Sequence, residues 1–449
     1  MPHVLLPLPP GPETRPSWRN LLRLRRDPLA FLTALARDYG DVSMFRVGPV
    51  PIVLLNHPDY VRDLLVTHEW NFVKGPGLER TKRLLGEGLL TSEGELHRRQ
   101  RRLAQPAFHK QRIAAYGDTM VEYAARARAR WQPGDTVDIR HEMMRLTLAI
   151  VGRTLFDADV ESEAGEINAA LTTAVESFVT FASPITLLLD RLRTPRNRRF
   201  ERARDRLDET IARMIEARRA HGPARDDLLS RLLEAQDADG GGMSDELLRD
   251  EAMTLFIAGH ETTANALTWT WYLLARHPEV EARLHAEIDE VLGGPHGRLP
   301  AAGDVPRLAY VEMVFAEAMR LYPPAWIMGR RVVTDHHVGG FLVPRNAVAV
   351  VSQWVMHHDP RFFPEPDAFR PERWTPEARA ERPRLAYFPF GAGSRLCIGE
   401  PFAWLEGVLV TATIAQQWTM RAAPGQTIAL QPKITLRPKD GVRMTLARR

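Results

Sequence analysis

The chain has 449 residues, 44% of them hydrophobic and 26% charged, with a formal net charge of +4. That composition suits one large or two medium globular domains and excludes a disordered or low-complexity chain. The basic excess is too slight to point to nucleic acid, and a single cysteine excludes both an internal disulfide and an iron–sulfur cluster.

Residues 1–26 read as a Pro/Arg-rich N-terminal segment and 27–449 as one domain. No apolar run of signal-peptide or membrane-span length occurs, so a cytoplasmic protein without a transmembrane anchor is expected. Asp27 and Pro28 open a helical pattern that runs to about Tyr39. Segments 42–47 and 52–55 are β-like, with Gly48-Pro49-Val50-Pro51 between them as a hairpin. From His57 to about Gly293 the signals are almost all helical, with a long charged helix over 199–220 and a break at Gly240-Gly241-Gly242. Ser244 then caps a long, largely apolar helix reaching Arg276, where His277-Pro278 stops it. A helix over 309–321 ends at Pro323-Pro324, and a second β region covers 331–352. Pro360, Pro364, Pro366 and Pro371 punctuate an irregular stretch before a helix from about Pro401 to Trp418. The class is mainly α with a small β-rich region.

The only cysteine lies in Phe390-Gly391-Ala392-Gly393-Ser394-Arg395-Leu396-Cys397-Ile398-Gly399. Its glycines let backbone approach something flat and close. Cys397 stands just before a helix start, where free N–H groups and the helix dipole favour a thiolate. Arg395 adds a positive charge that can pair with an anion. Such a thiolate suits a single axial ligand to heme iron. An inert buried cysteine and a catalytic nucleophile remain open on these residues alone, whereas one cysteine offers too few soft ligands for zinc.

Upstream, Ala258-Gly259-His260-Glu261-Thr262-Thr263 interrupts the long helix with residues that are poor in helix interiors. A cavity facing a flat cofactor gives a reason, since small side chains leave room and a hydroxyl can turn inward. A neighbouring carboxylate can relay the protons that dioxygen reduction requires. Glu317 and Arg320 share a helix face at i and i+3. The basic run His97-Arg98-Arg99-Gln100-Arg101-Arg102 puts His97 and Arg101 on one side of a helix.

These segments resemble the cytochrome P-450 family. Phe390, Gly393, Arg395, Cys397 and Gly399 match every fixed position of its heme-binding signature, Phe-x-x-Gly-x-Arg-x-Cys-x-Gly. Residues 258–262 are similar to its oxygen-activation motif, and Glu317, Arg320 and Arg373 to its buried charge cluster. Residues 97–101 are similar to its Trp-x-x-x-Arg propionate pair, with His97 in place of tryptophan. The resemblance implies one large domain holding heme b (iron protoporphyrin IX) between the long oxygen-side helix and the cysteine-side helix. It makes Cys397 the iron ligand, Glu261 the relay acid and Thr262 the hydroxyl donor. Phe390, Gly391, Arg395, His97, Arg101, Arg330 and Ala258 become heme contacts.

The implied reaction is insertion of one oxygen atom from dioxygen, usually as a hydroxylation. No reductase domain remains in the chain, so two electrons are expected from a separate ferredoxin or flavodoxin with its reductase. Outward-facing Arg98, Arg99 and Arg102 suit an acidic electron-transfer partner. By the same resemblance, segments 74–90, 178–192 and 325–328 line the distal pocket, with Phe178, Phe181 and Trp326 among their apolar side chains. An apolar substrate is expected: a terpenoid, carotenoid, fatty acid, steroid-like or macrolide skeleton. Apolar 185–189 beside several arginines suggests contact with a membrane surface. A peroxide-driven peroxygenase and a heme sensor are the rival readings; the first has no need of Glu261 and Thr262, the second none of an electron donor.

Overall fold

The computed structural model describes residues 6–12, 18–177, 194–221, 227–234 and 242–449. The expected pocket segment 178–192 and the expected membrane-touching segment 185–189 therefore lie outside the described residues. Twelve strands are described: β1 (Val42–Val47), β2 (Val50–Leu55), β3 (Phe72–Lys74), β4 (Thr136–Asp138), β5 (Met328–Val332), β6 (His336–Val338), β7 (Phe341–Val343), β8 (Val348–Val351), β9 (Trp418–Ala422), β10 (Leu430–Pro432), β11 (Leu436–Pro438) and β12 (Arg443–Arg448). The largest sheet has the order β1-β2-β8-β5-β3 and joins the two β regions that the sequence keeps far apart. Its β1–β2 pair is the expected hairpin, with Val47 opposite Val50 beside the turn.

Helices make the rest, and the fold is mainly α with small sheets. The long helix runs unbroken over Asp245–Leu274, about 45 Å at 1.5 Å per residue. Ser244 caps it by accepting the Leu247 N–H at 3.2 Å, and Asp245 and Glu246 in the first turn complement the helix dipole. The expected interruption at 258–263 does not break the backbone. Thr262 and Thr263 return their hydroxyl hydrogen bonds to the carbonyls of Ala258 and Gly259, four residues back, so they stay within the helix. Gly259 has a packing reason: a Cβ there would stand 3.2 Å from Val151 of the neighbouring helix Ile139–Phe156.

The helix Ala309–Leu321 and the cysteine-side helix Glu400–Ala415 pack against the long helix in the main core, where Val311, Phe315, Leu409 and Ile414 are fully buried. The described residues before Asp27 take part in the fold. Trp18–Arg26 is a helix that buries Leu24 against Leu29, Phe45 and Leu54, and the Pro10 carbonyl accepts the Met44 N–H at 2.7 Å. No helix among the described residues is long and apolar enough to cross a membrane.

Candidate active site

The cysteine loop is held by backbone geometry. The Cys397 N–H donates to the Phe390 carbonyl at 3.0 Å, closing the loop on itself, and the Phe390 ring lies 5.9 Å from that of Trp404. Gly391 and Gly393 have φ of 76° and 73°, in the left-handed region that favours glycine. Gly393 also needs its missing side chain, because a Cβ would meet the Leu65 carbonyl oxygen at 1.9 Å. Leu65 belongs to a single π-helical turn, Asp63–Thr67. Asp63 anchors that turn by pairing with His68 and with His336 of β6, each at 2.5 Å. Glu69 then accepts from the Ser394 N–H and hydroxyl at 3.2 and 2.8 Å.

Cys397 is accessible by surface area, yet burial within the protein pushes its thiol above its usual pKa. Both observations hold for a side chain that lines an interior space. The expected thiolate-favouring donors are present, the Gly399 and Glu400 N–H groups, together with the Arg101 charge. Burial outweighs them in the free thiol.

Around this loop the structure gathers cations. His97 is 6% exposed, and burial drives its pKa down to about 3, with further pushes from Arg395, Lys74, Arg101 and Arg330. Burial also lowers Lys74 to about 7 and Arg330 to about 10, with Arg395 adding to each. Lys74 and Arg330 stand directly opposite each other on β3 and β5, a pairing of like charges that is unfavourable without an anion between or beside them. Glu93 pairs with Arg395 and accepts the Lys74 backbone N–H at 2.5 Å, Glu69 also acts on Arg395, and the Lys74 ammonium donates to the Leu89 carbonyl at 3.1 Å and to that of Leu90. Arg101 donates to the Leu396 carbonyl at 2.7 Å, one residue from the thiol.

The third element is the long helix. Along its middle, Phe256, His260, Glu261 and Thr263 are buried, while Ala258 is exposed and Thr262 half-exposed. Those two sit at i and i+4, one above the other on a single face. An exposed alanine in the middle of a core helix marks a face that meets a space rather than a neighbour. Glu261 points elsewhere: it is 6% exposed and accepts the Thr435 hydroxyl at 2.6 Å. Thr262 and Glu261 are therefore adjacent in sequence but on different sides of the helix.

Thiol, uncompensated cations and a small-residue helix face fit a flat dianionic cofactor with one axial sulfur ligand. The family model for cytochrome P-450 matches residues 9–444. The chain belongs to the cytochrome P-450 family. It is a monooxygenase, hence an oxidoreductase, and the family implies a heme cofactor. Cyclooctatin synthase of Streptomyces melanosporofaciens is 44% identical over 95% of this chain and 93% of its own length. Cyclooctat-9-en-7-ol 5-monooxygenase of the same organism is 40% identical, covering 93% of this chain and 90% of that one. Retinoic acid-bound cyanobacterial CYP120A1 superposes with a TM-score of 0.88 at 27% identity, covering 99% of this chain and 100% of that structure.

Several cytochrome P-450 features stand where the sequence puts them. Glu317 and Arg320 are fully buried and paired in two bonds of 2.8 Å; Arg373 joins at 3.2 Å, and the Trp374 indole N–H donates to Glu317 at 2.9 Å. Two expectations need correction. Arg99 is not an outward arginine: it is half-buried and donates to the Gly242 carbonyl at 3.1 Å, leaving Arg98 and Arg102 exposed beside a hollow of about 420 Å³. Trp326 is a core residue, fully buried with its indole N–H on the Lys433 carbonyl, and it does not line a pocket. Glu93 and Thr435 were not expected from the sequence, and Lys74 was expected only as the first residue of the pocket segment 74–90. A lone lysine at a strand end and a threonine in a hairpin carry no local signal; only the cross-strand register and the tertiary contact reveal them.

Proposed function

We propose that this cytochrome P-450 hydroxylates a cyclic terpenoid, using heme b ligated by Cys397 and electrons from a separate ferredoxin or flavodoxin system. The observation that carries the reading is the accessible but desolvated Cys397 thiol, with Arg101 beside it and the cluster Lys74, His97, Arg330 and Arg395 nearby. Lys74, His97, Arg101, Arg330 and Arg395 would hold the propionates, His97 as a neutral hydrogen-bond donor. When bound, heme supplies the iron at which dioxygen is reduced. The overall balance is substrate RH, dioxygen, two electrons and two protons giving ROH and water.

The chain's own part is to orient the substrate and deliver those protons. Thr262 holds its hydroxyl proton on the Ala258 carbonyl at 2.8 Å, on the exposed face of the helix, and its oxygen is left to accept a second hydrogen bond. Glu261 supplies the acid of the relay from the buried side. The terpenoid assignment rests on the two Streptomyces relatives, one of which is named for oxidising cyclooctat-9-en-7-ol. No second reading is favoured by a specific contact.

The test is the absorption spectrum of the reduced protein with carbon monoxide. A Soret band at the position of a thiolate-ligated ferrous carbonyl is expected, and Cys397→Ser should abolish it. A histidine-type band in the wild type removes the oxygen-activating function. Product from cyclooctat-9-en-7-ol, with a surrogate ferredoxin and reductase, would then support the substrate class.

A further inference from the structure

Glu261 is tied to a part of the chain 174 residues away. The Thr435 hydroxyl, 5% exposed in the turn between β10 and β11, donates to Glu261 Oε1 at 2.6 Å. Asn265, one helical turn beyond Glu261 and fully buried, donates its amide to the same Thr435 oxygen at 3.3 Å. Trp269, a further turn along, donates its indole N–H to the Leu436 carbonyl at 3.1 Å. The helix face 261–265–269 thus grips the hairpin. Thr435 accepts from Asn265 and donates to Glu261, so the direction of its hydrogen bond is set.

A second group of charges lies behind this contact. Arg140, in the first turn of the helix Ile139–Phe156, has its Nε and Nη2 buried with no hydrogen-bond partner among the described residues. Burial pulls its guanidinium below the ordinary range and Arg437 adds to that, while Glu261, Asp138 and Glu176 hold it up. Arg437 is 3% exposed and pairs at 2.5 Å with Glu176, whose side chain is 48% exposed. Charged groups therefore run from the buried Glu261 past Arg140 and Arg437 to solvent at Glu176. Buried guanidinium N–H groups without protein acceptors are satisfied by ordered water.

We infer that Thr435 is a positioning residue for the relay acid, and that the space between Glu261, Arg140, Arg437 and Glu176 is a water-filled proton inlet to the long helix. This rests on the acid–alcohol reading of Glu261 and Thr262. Thr435 fixes which carboxylate oxygen faces the inlet, and Arg140 holds the water that hands a proton to it. The proton moves from solvent to the Glu261 carboxylate and on toward the Thr262 face; no electron moves with it.

The test compares Thr435→Val, which keeps the shape and removes the hydroxyl, with Thr435→Ser, which restores it. The first readout is the infrared carboxylate band of the heme-loaded protein that disappears in Glu261→Gln. That band should shift in Thr435→Val, return in Thr435→Ser, and shift in Arg140→Met. The second is the ratio of water to hydrogen peroxide formed from dioxygen with a surrogate ferredoxin and reductase. It should fall about tenfold in Thr435→Val and stay within about twofold of wild type in Thr435→Ser, a part of the typical general-acid contribution. Equal heme content in all variants separates the effect from loss of fold. If Glu261→Gln lowers the ratio while Thr435→Val changes neither readout, the inlet is wrong and the relay stands. If Glu261→Gln and Thr262→Ala also leave the ratio unchanged, the relay reading itself is overturned.

Discussion

Removing the Glu317 carboxylate should cost more than any other single change outside the cysteine loop. Its two oxygens accept from Arg320 Nε and Nη2, Arg373 Nε, the Trp374 indole and the Arg370 N–H, all within 3.2 Å. Glu317 and Arg320 have no exposed surface, so water cannot replace the lost acceptor. Breaking one side of such a buried pair costs about 3–5 kcal/mol. Summing about 1–3 kcal/mol for every orphaned donor would overshoot, because the remaining groups relax together. Arg320 keeps its bonds to the His357, Pro366 and Ala368 carbonyls, which argues for the middle of the range, about 4 kcal/mol. Against a total stability of about 5–15 kcal/mol, Glu317→Ala should leave little heme-loaded protein. The assay is urea denaturation followed by tryptophan fluorescence, with heme measured per protein. Glu317→Gln keeps the volume and one acceptor and should lose roughly half as much. Glu317→Met with Arg320→Met, which removes both charges, should recover part of the loss. A Glu317→Ala protein with wild-type heme content and a stability within about 1 kcal/mol of wild type would refute the reasoning.

Lys74→Met removes a buried cation opposite Arg330 and should speed heme dissociation about tenfold, measured by transfer of heme to apomyoglobin, roughly the 1.4 kcal/mol of one charge-assisted hydrogen bond. An unchanged rate would remove Lys74 from the propionate set. Gly393→Ala drives a Cβ into the Leu65 carbonyl at a φ of 73° and should abolish heme loading, whereas Gly165→Ala, with nothing within 4 Å, should not. Glu251 is fully buried, which raises its pKa to about 7 from 4.5; its native state keeps the proton longer than the unfolded chain, so its contribution is present below about pH 4.5 and lost as pH rises to about 7. The stability of wild type minus that of Glu251→Gln should therefore fall by roughly 3 kcal/mol across that window, and a flat difference would contradict it.

What the sequence made legible was whatever has a local pattern. The Ser244 cap and the spacing of Glu317 and Arg320 act within a few residues and stand in the structure as read, while the long helix ends at Leu274, two residues short of Arg276, and Pro278 opens the next helix. The helix Trp18–Arg26 was not legible, because six of its nine residues are exposed and only Leu24 and Asn20 are buried. The orientation of Glu261 was equally hidden. Its partner Thr435 is distant in sequence, and a carboxylate beside Thr262 looks alike whether it faces the same space or the opposite side. Lys74 and Arg330 become a site only once β3 and β5 are paired.

The charges of the site also explain why its parts belong together. Lys74, Arg101, Arg330 and Arg395 are four cationic side chains gathered in a half-buried space, with Glu93 and Glu69 acting on Arg395 and Glu251 on Lys74. Burial works against every one of them, and it works against the Cys397 thiolate as well. A polypeptide left to itself gains nothing from holding such a cluster. The propionates of a bound heme would bring negative charge among these cations, and its iron would displace the thiol proton that the Gly399 and Glu400 N–H groups are too weak to displace alone. On the proposed assignment the residues that destabilise the chain by itself would be the ones that bind the cofactor, and the cost of their burial would be returned as affinity for heme.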